Sequence, residues 1–223
     1  MSALGAQTWC VFDAYGTLLD VEAAVRRCDP NGVLPPALAG LWRTKQLEYT
    51  WTLQAMGAYR DFWLLTEEAL DFAISATGAT GAPRQALLDA YLRLDPFPEV
   101  LDVLMALRES GLRLAVLSNG TPDMLASAFE AAAVRPLLDA VISVDEIGIY
   151  KPDTRVYQHA AARLAVDASR LRFVSSNAWD VAGAQRAGLE VFWVNRAGRP
   201  AEYGLRDARV ELADLRELPP LLR

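Results

Sequence analysis

The chain predicts an α/β fold: a Rossmann-like parallel-sheet core interrupted early by an inserted helical cap subdomain. Three observations predict it. After Asp95-Pro96, short apolar runs alternate with helical stretches, the pattern of a parallel sheet covered on both faces. From Val21 to Leu94 the pattern is helical, with little strand signal. A lone apolar run, Trp9 to Ala14, precedes that helical stretch. The core is therefore expected over residues 1–19 and 96–223, and the cap over residues 20–95.

Each element has its own signal. Trp9 to Ala14 reads as a buried strand that ends in the turn Asp13-Ala14-Tyr15-Gly16-Thr17. In the cap, Leu38, Leu41, Trp42, Lys45, Tyr49 and Leu53 belong to one long helix that begins after Pro35-Pro36, where a missing N–H costs nothing. Phe62, Leu65, Ala69 and Leu70 mark a second helix closing near Gly78, and Arg84 to Leu94 a third. In the core, helices are expected over Val100–Arg108, Met124–Ala133, Asp153–Leu164 and Val181–Ala187. Strands are expected over Leu114–Leu117, Ala140–Val144, Phe173–Val174 and Val191–Val194.

Composition narrows the function. Apolar residues make up 52% of the 223 and charged residues 22%, which is a globular balance. Net charge is −6 and no Lys/Arg cluster stands out, so nucleic acid is not an expected partner. No run approaches the roughly 18 apolar residues of a membrane span, and Met1 to Thr8 does not read as a signal peptide. Two cysteines, Cys10 and Cys28, make no disulfide framework, so the cytoplasm is the expected compartment. The single histidine, His159, lies in a helical run and reads as a helix-face residue, which excludes a histidine-rich metal site.

In open parallel sheets ligands bind at the carboxyl ends of the strands. Four polar clusters fall at or just after such ends: Asp13/Thr17, Ser118/Asn119, Lys151, and Ser175/Asn177/Asp180. Asp13 itself reads two ways. A partly desolvated carboxylate held rigidly at a strand end is a useful nucleophile, and an Asp there is equally a common cap for the following turn. The other clusters in register favour the nucleophile.

These segments resemble a known family. Phe12-Asp13-Ala14-Tyr15-Gly16-Thr17-Leu18, Leu117-Ser118-Asn119-Gly120, Tyr150-Lys151-Pro152-Asp153 and Ser175-Ser176-Asn177-Ala178-Trp179-Asp180 look like the haloacid dehalogenase superfamily. Leu41-Trp42-Arg43-Thr44-Lys45-Gln46-Leu47-Glu48-Tyr49 and the Ser-Asn-Ala-Trp-Asp segment point within it to the L-2-haloacid dehalogenases, the metal-independent type. The resemblance runs in order along nearly the whole chain. It implies hydrolysis of a short L-2-haloalkanoate to the D-2-hydroxyalkanoate and halide, through an aspartyl ester on Asp13, with no cofactor, no metal and a homodimeric state.

The resemblance also implies roles. Thr17 orients Asp13. Arg43 with Asn119 receives the halide, although Arg43 alone would read as a solvated helix arginine paired with a nearby Glu. Ser118 and Lys151 hold the substrate carboxylate, and Lys151 brings positive charge to Asp13. Tyr157, Ser175 and Asn177 organise the site, with core packing the plainer reading of Tyr157. Asp180 activates water for ester hydrolysis, where its plainer reading is a helix N-terminal residue favoured by the dipole. Ala14, Tyr15, Leu47, Phe62 and Trp179 line the substrate, although such residues are more often plain core.

Two departures discriminate within the superfamily. Tyr15 stands where its phosphatases carry a second Asp as leaving-group acid, and a halide needs no proton. Ser175-Ser176-Asn177 stands where metal-dependent members place an acidic residue. Thr44 is shorter than the Gln of the family pattern, which bears on the pocket beside the alkyl group. A phosphatase of the same superfamily and a non-catalytic binding protein on this fold are the alternatives.

Overall fold

The computed structural model describes residues 8–205 and 210–222, so the reading of the first seven residues lies outside it. Six strands are described: β1 Trp9–Phe12, β2 Arg113–Ser118, β3 Ala140–Ser143, β4 Leu171–Ser175, β5 Glu190–Val194 and β6 Val210–Leu212. All pair in parallel, in the order β3-β2-β1-β4-β5-β6. The chain moves outward from β1 through β2 to β3, crosses back, and then moves outward through β4, β5 and β6. The reversal of direction lies between β1 and β4. Beyond the carboxyl ends of those strands a parallel sheet leaves a crevice that no crossing connection fills.

The strands are apolar because both faces are covered. Trp9, Cys10, Val11 and Phe12 are all buried, as are Leu114 to Ser118 and Val191 to Val194. Register carries the strand ends to one level: Phe12 pairs with Val116 on one side and Val174 on the other, and the Asp13 N–H donates to the Val174 carbonyl at 2.9 Å. Asp13 therefore leaves the sheet beside Ser175.

Between β1 and β2 lie α1 Ala23–Cys28, α2 Ala37–Met56, α3 Phe62–Thr77, α4 Arg84–Tyr91 and α5 Val100–Glu109. Helix α2 starts directly after Pro36, and α3 starts where the Asp61 carboxylate accepts from the Leu64 N–H at 3.0 Å. Helices α2 and α3 pack on each other, as do α1 and α4. Between or after the remaining strands come α6 Pro122–Ala131, α7 Thr154–Arg163, α8 Ala178–Arg186 and α9 Leu218–Leu221.

The expected elements differ from these mainly at their ends. The third cap helix stops at Tyr91, not Leu94, and Val144 begins a 3₁₀ turn after β3. Helix α8 begins at Ala178, three residues before the apolar signal at Val181. The strand expected at Phe173–Val174 runs from Leu171 to Ser175, since Arg172 turns outward to pair with Glu190 at 3.2 Å. The short α1, β6 and α9 had no separate signal.

Candidate active site

Asp13 is buried, and its two oxygens differ. Oδ2 accepts from Thr17 Oγ1 at 2.9 Å and Asn177 Nδ2 at 2.8 Å, with Ser175 Oγ at 3.5 Å. Among the described residues, Oδ1 accepts from Lys151 Nζ alone, at 3.1 Å. The Thr17 hydroxyl cannot turn away, because its oxygen accepts from the Ser176 N–H at 2.8 Å and its proton is thereby aimed at Asp13.

Asn177 shows what this costs locally. It occupies the N-cap of α8, a place where an Asn side chain usually accepts from the helix's own N–H groups, yet it makes no such bond. Its amide donates instead to Asp13 and, at 3.3 Å, to the Tyr15 carbonyl. The helix gives up a cap, worth about 1 kcal/mol, so that the amide can serve the carboxylate.

Lys151 is 1% exposed and stands between two carboxylates, with Asp180 Oδ2 at 2.9 Å on its other side. Burial pulls its pKa down, but Asp13 and Asp180 more than offset this and hold it above the ordinary lysine value. Asp180 is fully buried in the first turn of α8. Tyr157 donates to its Oδ1 at 2.6 Å and Ser175 Oγ lies 3.1 Å from its Oδ2. Burial raises the Asp180 carboxyl to about 6, against the lowering effect of Lys151; Asp13 pushes it further up and Tyr157 holds it down.

On the far side of the crevice Asn119 accepts from the Lys151 backbone N–H at 3.1 Å, which fixes the amide so that Nδ2 points away from that loop. Its Nδ2 makes no hydrogen bond among the described residues. Ser118 Oγ accepts from the Gly120 N–H at 3.1 Å, leaving its own proton to be placed. Gly120 has to be glycine: a Cβ there would lie 2.8 Å from the Tyr15 ring.

Arg43 of α2 reaches across to the turn after β1. Its Nη1 donates to Gln46 Oε1 at 2.7 Å and its Nη2 to the Tyr15 carbonyl at 3.3 Å. No carboxylate pairs with it among the described residues, so the reading as a surface arginine with a Glu partner does not hold. Gln46 is itself locked: Tyr91 donates to its oxygen at 3.0 Å, and its nitrogen donates to Thr66 at 2.6 Å. This buried relay was not legible in the sequence, where Gln46 belongs to a family-like segment but carries no role of its own.

The apolar candidates divide. Tyr15 is buried against Phe62 and stacked on Tyr91 at 5.6 Å, and its hydroxyl has no hydrogen-bond partner among the described residues. Burial, then Tyr91, holds that phenol well above 10, so it is a poor proton donor. Leu47, Trp179, Thr44 and Arg43 line an open cleft of about 590 Å³ that reaches inward to Gly16 and Asn177, the neighbours of Asp13. Ala14 is buried beside Asp13 and makes no side-chain polar contact. Tyr157 touches Asp180 and Phe173, not Asp13. His159 lies away from this cluster, 2.9 Å from Glu146. Both cysteines are free.

Chemically, the arrangement offers a carboxylate with one lightly engaged oxygen, a second carboxyl poised near neutrality, and unspent N–H donors on Arg43 and Asn119. Known proteins resemble this chain along most of its length. A family profile described as haloacid dehalogenase-like hydrolase matches residues 8–188. The chain is 49% identical to (S)-2-haloacid dehalogenase 1 of Pseudomonas sp. (strain CBS-3), over 96% of this chain and 95% of that one. Among solved structures, a dehalogenase with an intermediate complex superposes with a TM-score of 0.91 at 43% identity, covering 97% of each chain. The L-2-haloacid dehalogenase from Xanthobacter autotrophicus with chloropropionic acid covalently bound superposes with a TM-score of 0.86 at 33% identity, over 97% of this chain and 98% of that one.

Proposed function

The chain belongs to the haloacid dehalogenase-like hydrolases and within them to the L-2-haloacid dehalogenases, and from that membership we propose the following chemistry for its own residues. The protein hydrolyses short L-2-haloalkanoates to D-2-hydroxyalkanoates and halide. The observation that carries the mechanism is the unequal load on the two oxygens of Asp13.

Oδ2 is engaged by Thr17 and Asn177, whereas Oδ1 keeps an uncommitted lone pair beside Lys151. Oδ1 attacks C2 from the side opposite the halogen. The Oδ1–C2 bond forms, the C2–halogen bond breaks, and the halide leaves with the bonding pair, inverting C2. The departing anion settles on the unspent N–H groups of Arg43 and on Asn119 Nδ2, which gain strength as charge develops. No acid is required, which suits a site where the residue two positions after the nucleophile is the high-pKa phenol of Tyr15. Ser118 and Lys151 have donors left for the substrate carboxylate.

In the second step Asp180 takes a proton from water, and the hydroxide adds to the Asp13 carboxyl carbon. Negative charge then builds on Oδ2, where Thr17 and Asn177 are already in place. The intermediate collapses as the Cγ–Oδ1 bond breaks; Oδ1 leaves with the product and takes the proton held by Asp180, the water oxygen remains on Asp13, and its proton is released to solvent as Asp13 returns to the carboxylate. A carboxyl near 6 is ionised at neutral pH and still basic enough to take the proton.

Residues 20–95 are read as a cap whose α2 brings Arg43 over the crevice. The chain is further read as a cytoplasmic homodimer; Leu64 and Phe72, 41% exposed on one side of α3, offer an apolar face to a second copy. Sedimentation tests the dimer. The chemistry is tested by turnover of L-2-chloropropionate in ¹⁸O-water: repeated turnovers place label in the Asp13 carboxylate. Label that enters only the product, from the first turnover onward, eliminates the ester.

A further inference from the structure

Arg196 lies two residues beyond β5, outside the set of groups that touch Asp13, yet it makes five hydrogen bonds. Nη1 donates to the Gly16 carbonyl at 3.3 Å and Ser176 Oγ at 2.9 Å; Nη2 donates to the Thr17 carbonyl at 3.0 Å. Nε and Nη2 also meet Glu99 Oε1 at 3.0 and 2.6 Å, and the guanidinium lies 3.9 Å from the Phe97 ring centroid. Glu99 is 6% exposed. One planar cation thus ties the turn after β1, the turn after β4 and the start of α5.

Those two turns carry the donors on Asp13 Oδ2. Thr17 comes from the first and Asn177 from the second, and the Ser176 N–H aims the Thr17 hydroxyl. The Trp193 indole of β5 adds a bond to the Ser176 carbonyl at 3.2 Å. The pairing with Glu99 neutralises Arg196, so its contribution to Asp13 is geometric. The rigid fork of a guanidinium makes these simultaneous contacts; an ammonium on a flexible stem does not.

We propose that Arg196, neutralised by Glu99, is a positioning residue for the ester-hydrolysis step: it holds the two turns at the separation that keeps Thr17 and Asn177 on the Oδ2 oxygen of Asp13. The inference rests on the aspartyl-ester reading above. The first step needs only the aim of Oδ1. The second needs donors fixed where charge appears on Oδ2, and loss of such a donor typically slows a reaction by about 10²–10³-fold.

The experiment uses the full chain with L-2-chloropropionate, comparing wild type with Arg196→Lys by rapid-quench halide release and intact-protein mass spectrometry. Expected is a drop in kcat of roughly tenfold or more, KM within about twofold, a stoichiometric halide burst, and a population of protein carrying the ester. Added guanidinium should partly restore Arg196→Ala. A variant that loses kcat only in proportion to folded fraction, with no burst and no ester, overturns the proposal, as does a rise in KM at unchanged kcat. If Arg196→Lys does not fold, Ser176→Ala, which removes a single contact, decides: a measurable increase in ester supports positioning, and none overturns it. If wild type never places ¹⁸O in Asp13, the ester reading itself fails. If wild type does so and the variants behave like it, only the role of Arg196 fails.

Discussion

Replacing Tyr157 with Phe should move the acid limb of the pH–rate profile upward. The phenol donates to Asp180 Oδ1 at 2.6 Å, and this bond lowers a carboxyl that burial otherwise raises. A hydrogen bond to a charged group contributes about 1.5–3 kcal/mol. At about 1.4 kcal/mol per pKa unit, its loss lifts Asp180 from about 6 to roughly 7–8. The base is then largely protonated at neutral pH. At about pH 7 its ionised fraction falls from roughly nine-tenths to between a half and a tenth, so kcat should drop about two- to tenfold. At about pH 9 the activity should return, because the base is again ionised and Lys151, held above its ordinary pKa, still carries its charge. The aromatic ring keeps its edge contact with Phe173, so the fold should persist. The assay is kcat for halide release across the pH range, with thermal melts alongside. An acid limb that stays at its wild-type position, or a loss as large at high pH as at neutral pH, refutes the assignment of Asp180 as the titrating base.

Other consequences follow from the same contacts. Gln46→Leu removes the acceptor that holds Arg43 and leaves the buried Tyr91 and Thr66 partners unmatched; kcat should fall roughly tenfold or more, and more for 2-chloropropionate than for 2-bromopropionate, since the poorer leaving group leans harder on the cradle. Equal losses on the two halides would count against that cradle. Gly183→Ala places a methyl 2.6 Å from the Pro152 side chain and 2.7 Å from the Tyr157 hydroxyl, so it should cost about 1–3 kcal/mol in thermal melts and shift the acid limb in the same upward direction as Tyr157→Phe. Chelators should leave halide release unchanged, because the Lys151 ammonium occupies the space between the carboxylates that a dication would need; loss of activity on dialysis against EDTA, restored by magnesium, would reverse this.

What the sequence revealed follows from how local each signal is. An apolar run that stops at a polar cluster marks a strand and its functional end together, which is why Asp13, Ser118 and Ser175 to Asn177 were legible along with β1, β2 and β4. Strand β6 was not, since it has three residues and one of them is Glu211. Arg196 and Glu99 were invisible for a different reason. They meet only because the strand order puts β5 next to β4 and the start of α5 under the turn after β1, and no local pattern encodes that adjacency. The Gln46 relay was hidden likewise, because its partners Thr66 and Tyr91 come from two other helices. Asn177 was legible as a member of a strand-end cluster, but not that its amide serves Asp13 in place of capping α8.

The unequal treatment of Asp13 and Asp180 also explains how one pocket holds two carboxylates in different states of readiness. A lone buried ammonium serves both, so neither carboxylate is left as an isolated buried charge, a situation that typically costs 3–5 kcal/mol when one partner is removed. One ammonium cannot fully compensate two anions, and the remaining strain falls on the member with no access to solvent. Asp13 has the amide of Asn177 and the hydroxyl of Thr17 and lies one residue from an open cleft. Asp180 is fully buried, and burial and the charge of Asp13 together lift it to about 6. The nucleophile is thereby served by direct contacts while its neighbour is left basic.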